Sequence, residues 1–334
     1  MASIGKNNGL TDVEGIALGH FTDTEALSGV SVAICPEGAV AGVDVRGSAP
    51  GTRETDLLNP INLVSKVQAV VLSGGSVYGL AASNGVVAWL AERGCGFPLD
   101  AEHVAPIVPA VVLYDLGRGT SFIPPITGEW GRKACEASTG GPVPMGCVGA
   151  GTGALSGSIK GGLGTASIVL DSGVTVAAVV AVNSLGMVVN PGNGRIWETG
   201  LEREHEFGAQ AHRRVKVPPP PEASAAQNTT IGIVATDAML TKVQAQKVAQ
   251  MAHDGMGRAI RPAHTMFDGD TIFCLATGKK ELVEQQGFFL VPQAQALTEI
   301  GHAAADCMSR AIIHGILSAR SMAGITAFCD LEAL

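Results

Sequence analysis

Apolar, β-branched runs bounded by Gly-rich junctions recur in both halves of the chain, and they leave few architectures open. AVVLSGG (69–75), PAVVLYDL (109–116), TTIGIVATDA (229–238) and DTIFCLATG (270–278) each read as strands. GVTVAAVVAVNSLGMVVNP (173–191) reads as two strands meeting at a turn near 183–186, and GVSVAIC (29–35) with AVAGVDVRG (39–47) as a strand pair joined by the turn PEG. Helical segments lie between them. SVYGLAASNGVVAWLAERG (76–94) predicts a helix with Ser76 as N-cap and Gly94 as its stop. TKVQAQKVAQMAHDGMGRAI (241–260) has helical apolar spacing, and 292–319 predicts a long, mostly buried helix. Because strands cluster in both parts, the expectation is one layered α/β domain over 1–334, interrupted by an exposed linker at 215–227.

Hydrophobic residues make up 46% and charged residues 16%, which excludes a disordered chain and predicts a large interior or an oligomer. The net charge is −8 and the only basic run is RRVK (213–216), so nucleic acid is not an expected partner. Seven scattered Cys without a Cys-x-x-Cys pair read as reduced thiols. The first residues hold no apolar signal core and no run of 18 apolar residues occurs, so the expectation is a cytoplasmic protein without a membrane partner. GAGTGALSG (149–157) lacks the G-x-G-x-x-G spacing, no G-x-S-x-G elbow or H-E-x-x-H pair occurs, and DGDTIF (268–273) lacks the remainder of a calcium loop. His253, His264, His302 and His314 are dispersed. No cofactor and no metal are expected.

Four prolines, 218–221, lead through a small polar stretch into Asn228-Thr229-Thr230 and then directly into a strand. Two readings stand. Asn closes a turn and Thr opens a strand, as their shapes favour. Alternatively, Thr229 attacks the carbonyl of Asn228, the peptide becomes an ester, and water releases a chain that begins with Thr229. Such a Thr carries its own base, the α-amine, with a reference pKa of about 7.7–8.0. Downstream, Asp268 and Asp270 are two apart and share a face of an extended segment. Lys160 is a lone cation in a Gly-rich stretch, Asn183 ends an apolar run, Tyr114 ends AVVLY, and Gly75 precedes a predicted helix where backbone N–H groups can meet an oxyanion.

Taken together, LSGGSVYGL (72–80), VVLYDLGRG (111–119), VAVNSLGMVVNP (180–191), NTTIGIVATDA (228–238) and HTMFDGDTIF (264–273) are similar to the self-processing N-terminal-nucleophile amidohydrolases. That family includes L-aminopeptidase/D-esterase, the β-peptidyl aminopeptidases and the nylon-oligomer (6-aminohexanoate-oligomer) endo-hydrolase. The resemblance implies a four-layer αββα sandwich, autocleaved between Asn228 and Thr229 into an α chain, 1–228, and a β chain, 229–334, and assembled as a tetramer of such pairs. It implies Thr229 as nucleophile, Asn183 and Lys160 beside the oxyanion, Asp268 and Asp270 orienting the Thr hydroxyl and amine, and Tyr114 lining the site. Many aminopeptidase members have a Ser nucleophile, with Ser and Glu where Asp268 and Asp270 stand, so the Thr/Asp/Asp set is nearer the nylon-oligomer hydrolase. The expected function is hydrolysis of short peptides or ω-amino-acid oligomers. An aminopeptidase restricted to N-terminal residues, a metal-dependent hydrolase built on Asp268, Asp270 and His264, and an uncleaved binding protein remain alternatives.

Overall fold

The computed structural model describes residues 2–219, 228–284 and 291–334. Nine strands form one mixed sheet: β1 (Ala17–Asp23), β2 (Ser28–Val45), β3 (Gly51–Arg53), β4 (Lys66–Ser73), β5 (Ala110–Val112), β6 (Leu163–Val169), β7 (Thr175–Ala181), β8 (Ile231–Ala238) and β9 (Thr271–Lys280). The order is β6-β7-β8-β9-β2-β4-β5-β3, with β1 also on β2. Pairings β8–β9 and β4–β5 are parallel and the rest antiparallel. Each parallel pair is bridged by a helix, α1 (Ala82–Ala91) between β4 and β5 and α3 (Lys242–Ala259) between β8 and β9, as a parallel connection requires. Two further helices are α2 (Gly128–Glu136) and α4 (Ala294–Leu317).

The strand pair expected at 29–47 is a single 18-residue strand, β2. Pro36-Glu37-Gly38 makes a bulge in the pairing with β4, between Ile34 and Ala39, in place of a reversal. Before it, β2 pairs with β1; after it, the same edge pairs with β9. The sheet thus folds over on itself. Three apolar clusters fill the spaces so made. Val30, Val32 and Val71 face Val86 and Trp130 of α1 and α2. Leu72, Val179, Ile233 and Phe273 fill the space between the two halves of the sheet. Val180, Val234 and Ile272 face Met256 and Ile312 of α3 and α4. Three filled interfaces separate four layers, helix–sheet–sheet–helix, which is the expected αββα order. Strands buried on both faces explain why their sequences are apolar throughout rather than alternating.

Other expectations change in detail. The 76–94 helix begins as a 3₁₀ turn, Ser76–Ala81, capped by Gly75 in the left-handed region at φ 80° rather than by Ser76. The strand expected over 109–116 shortens to Ala110–Val112. After β7 the expected second strand is absent, and Met187 and Val189 make only isolated bridges, to Arg261 and Ile196. Thr241 caps α3 in a reciprocal box with Gln244. α4 lies so close to β6 that a Cβ on Gly164 would meet the Ala311 carbonyl at 2.0 Å. The stretch read as linker starts later than 215: Val215 is buried, its N–H bonds the Gly194 carbonyl, and the Pro218 carbonyl accepts from Ser158. Residues 220–227 lie outside the described residues.

α4 also carries the most buried charge. Arg310 pairs with Glu206 through Nε at 2.6 Å and Nη2 at 2.7 Å, while Asn8 donates to Glu206 at 2.6 Å and His314 Nε2 lies 2.8 Å away. Burial alone would raise the Glu206 carboxyl, but the bonds from His314 and Arg310 outweigh it and bring it from 4.5 to about 2. The unfolded chain therefore binds more protons in that interval, so this contribution is present above pH 4.5 and is lost as the pH falls toward 2. Glu206→Ala leaves the Arg310 charge buried and unpaired, at a cost of about 3–5 kcal/mol. Urea denaturation from pH 5 to 2 will show this loss together with a flatter acid dependence in the variant.

Candidate active site

Strand register brings distant residues to one point. β8 pairs antiparallel with β7, Ile231 opposite Ala181, so the residues before β8 meet those after β7. β8 pairs parallel with β9, Ile231 beside Thr271, so the residues before both strands are neighbours. Asn183, Thr229 and Asp270 are thereby brought together by backbone pairing alone. The Thr229 N–H donates to the Asn183 carbonyl at 2.5 Å, and the Thr230 N–H donates to Asp270 Oδ1 at 2.8 Å.

Thr229 is 5% exposed, directly after Asn228 at 9%. Its hydroxyl donates to the Asn228 carbonyl at 2.5 Å, and its oxygen accepts the Gly269 N–H at 3.1 Å. A Cβ on Gly269 would lie 2.9 Å from that oxygen and 2.7 Å from the Ala49 carbonyl, so only glycine allows the approach. Beside Thr229 and Asn228 opens a cavity of about 340 Å³, walled by Pro50, Ser76, Val77, Val112, Tyr114 and Phe267 among others. A larger cavity of about 500 Å³ lies along α4 around Arg203, His302 and Asp306, and none of the candidate catalytic residues lines it.

The two aspartates are buried and held differently. Asp268 Oδ2 accepts the Thr265 hydroxyl at 2.5 Å and its N–H at 3.0 Å. Asp270 Oδ2 accepts the His264 N–H at 3.0 Å and lies 2.8 Å from His264 Nδ1. Burial, and then the neighbouring Asp270, raises the Asp268 carboxyl. The His264 ring also stacks edge-on against buried His253 at 4.8 Å. Among the described residues, no group of three or more His, Cys, Asp or Glu is arranged to hold a metal ion.

Asn183 is clamped on every side. Arg118 and the Leu155 N–H donate to its Oδ1 at 2.8 and 3.0 Å, and its Nδ2 donates to the Tyr114 carbonyl at 3.1 Å. That leaves the second Nδ2 proton as a donor. Tyr114 is half-buried and lines the cavity. Gly75 does not face it: the Gly75 N–H donates to buried Asp115 at 2.6 Å, and Ser76, one residue on, forms the wall. Lys160 is 1% exposed, and its ammonium bonds the carbonyls of Gly151, Ala154 and Gly161 at 3.2, 2.9 and 2.8 Å. All three of its protons are thus committed to backbone, and its bonds reach the site through the loop that carries Leu155.

Sequence reasoning passed over Arg118, Asp115 and Thr265, and weighed His264 only as a metal ligand. The signal for Thr265 and His264 was present, since an aspartate three or six residues away can satisfy a turn. Nothing local to Arg118 announces that it orients Asn183.

A model of peptidase family S58 matches residues 8–328, and the chain belongs to that family. An uncharacterized aminopeptidase of Mycobacterium leprae is 46% identical over 351 residues, covering 97% of this chain and 94% of that protein. A 6-aminohexanoate-oligomer endohydrolase of Kocuria sp. is 30% identical over 325 residues, covering 93% and 86%. The structure of an L-aminopeptidase D-Ala-esterase/amidase of Ochrobactrum anthropi, described as a variant of the Ntn-hydrolase fold, matches with a TM-score of 0.70 at 22% identity. It covers 96% of this chain and 89% of that one, and the fold is shared.

Burial lowers the Lys160 ammonium from 10.5 to about 8. Between those values the unfolded chain binds the extra proton, so stability gained from this residue rises with pH. Comparing urea midpoints of the parent and Lys160→Met from pH 7 to 10.5 will show the parent gaining on the variant above pH 8, at up to about 1.4 kcal/mol per unit.

Proposed function

We propose that this member of peptidase family S58 is an amide hydrolase whose nucleophile, Thr229, is freed by cleavage of its own 228–229 bond. The observation that carries the reading is the Thr229 hydroxyl, buried at the head of β8, 2.5 Å from the carbonyl oxygen of the residue before it and braced by the Gly269 N–H. Attack of Oγ on the Asn228 carbonyl carbon forms an ester and breaks the C–N bond. The hydroxyl proton ends on the Thr229 nitrogen. Water then hydrolyses the ester, leaving a carboxyl on Asn228 and a free hydroxyl and amine on Thr229.

The same groups serve a substrate. The new α-amine takes the proton of Oγ, Oγ adds to the amide carbonyl, and the amine returns the proton to the leaving nitrogen. Water resolves the acyl-enzyme by the reverse sequence. The Asn183 carbonyl, already 2.5 Å from the Thr229 nitrogen, holds the amine, and in this reading the second Asn183 Nδ2 proton is the donor to the developing oxyanion. Asp270 and Asp268 fix the loop that presents Gly269. Lys160 acts through the backbone of 151–161 rather than by touching the nucleophile. Short peptides and ω-amino-acid oligomers are the substrates this reading favours, given the names its relatives carry.

Intact mass of the purified protein tests the reading. The parent gives fragments 1–228 and 229–334, and Thr229→Ala gives one chain of 34.0 kDa without hydrolase activity. A parent that hydrolyses amides while uncut would sink it. Asn183→Ala should lower kcat by about 10²–10³, the cost of one oxyanion donor. Activity should rise with pH through about 7.7–8.0 as the α-amine loses its proton.

A further inference from the structure

We propose that Ser76 is a substrate-binding residue, whose hydroxyl hydrogen-bonds a peptide group of the substrate next to the one being cut. This rests on Thr229 as nucleophile and adds a contact on another wall of the same cavity.

The backbone is the first ground. Ser76 has φ 51°, in the left-handed region, where a residue with a Cβ is strained and glycine is not. Gly75 before it is left-handed too, at φ 80°. Backbone bonds hold this turn in place. The Gly74 N–H donates to the Gly29 carbonyl at 2.9 Å, the Gly75 N–H to Asp115 Oδ1 at 2.6 Å, and the Ser76 N–H to the Leu113 carbonyl at 2.9 Å. A Cβ on Gly79 would lie 1.8 Å from the Gly74 carbonyl oxygen, so close contact also keeps the turn shut. Glycine stands at 74, 75 and 79, yet the strained position 76 carries a hydroxyl. Strain that the surroundings enforce collects at sites that bind or react.

The hydroxyl is the second ground. Ser76 is half-buried and lines the cavity that Asn228 and Thr229 also line. Among the described residues its N–H makes the one hydrogen bond it has, which leaves the hydroxyl unspent. Apart from Asn228, Thr229 and Tyr114, no other described residue of the wall has a hydrogen-bonding side chain.

Its place in the fold fixes what it meets. Ser76 follows β4 and Thr229 precedes β8, three strands away in the sheet order. The scissile amide belongs to Thr229 and Asn183, so the hydroxyl reaches a neighbouring group of the bound chain. A hydroxyl both donates and accepts, which suits the N–H or the C=O of a second amide. The Thr229 hydroxyl is bonded to the Asn228 carbonyl and the Gly269 N–H, not to Ser76, so the proposed self-cleavage does not draw on Ser76.

Ser76→Ala and Ser76→Gly separate a substrate contact from a requirement of the fold. Alanine keeps the strain and loses the hydroxyl; glycine loses both. The parent is first assayed on alanine oligopeptides and linear 6-aminohexanoate oligomers, each with more than one amide. The compound it cuts fastest then serves for all the proteins. By intact mass, each variant should be cut at 228–229 as the parent is. In both variants KM should rise about three- to tenfold with kcat unchanged, as when one neutral hydrogen bond is lost equally from ground and transition states. The urea midpoint of Ser76→Gly should stand above that of Ser76→Ala, because glycine adopts φ 51° without strain. An unchanged KM, a loss confined to kcat, activity that recovers with stability in Ser76→Gly, or a variant that stays uncut overturns the proposal. A parent that stays whole, or that is cut and hydrolyses none of these compounds, overturns instead the reading of Thr229 beneath it.

Discussion

The pairing register of β7, β8 and β9 is the constraint on which the rest depends. Asn183, Thr229 and Asp270 are far apart in sequence and belong to three different strand ends. Backbone hydrogen bonds, not side-chain attraction, set their spacing. A slip by one residue would turn Ile231, Ile233 and Ala235 from the interior between the sheet halves toward α3 and α4, and would carry Thr229 away from the Asn183 carbonyl. Burial on both faces makes that slip expensive. The precision of the site is thus a by-product of a core that tolerates a single register.

Much of this was legible in the chain. The β8–α3–β9 unit is marked by an apolar run, a Thr/Gln capping box and a second apolar run, so those boundaries fall within a few residues of expectation. Thr229 and the two aspartates stand directly before strands, where periodic sequence stops and position is easy to count. Other features were hidden because their causes are non-local. Pro36-Glu37-Gly38 has the composition of a turn, yet partners on both edges of β2 keep the strand running. The stretch after β7 is apolar because it packs against distant loops, so its composition imitates a strand. Arg118 and Asp115 matter through bonds to Asn183 and Gly75, many residues away.

The charges near the site obey one rule: each is buried or half-buried with its donors or acceptors supplied. Lys160 is surrounded by carbonyls, Asp115 by an N–H and a hydroxyl, and Arg118 by Asn183 and the Gly153 carbonyl. Burial shifts Lys160 and Arg118 downward, to about 8 and about 10, and Asp115 upward. These groups stiffen the loops that carry the reactive atoms, and none of them is among the described residues that line the cavity.

The Glu206–Arg310 pair lies across the bond proposed for cleavage, with Glu206 upstream of it and Arg310 downstream. So do the β7–β8 and β2–β9 seams. If that bond opens as proposed, contacts within one molecule become an interface between two. Folding before the cut is unimolecular, whereas reassembly after it would be a second-order encounter of two partners that each expose half a core. The cut would therefore act as a ratchet: a protein that reaches its shape once, as a single thread, and afterwards keeps it by the slowness of coming apart.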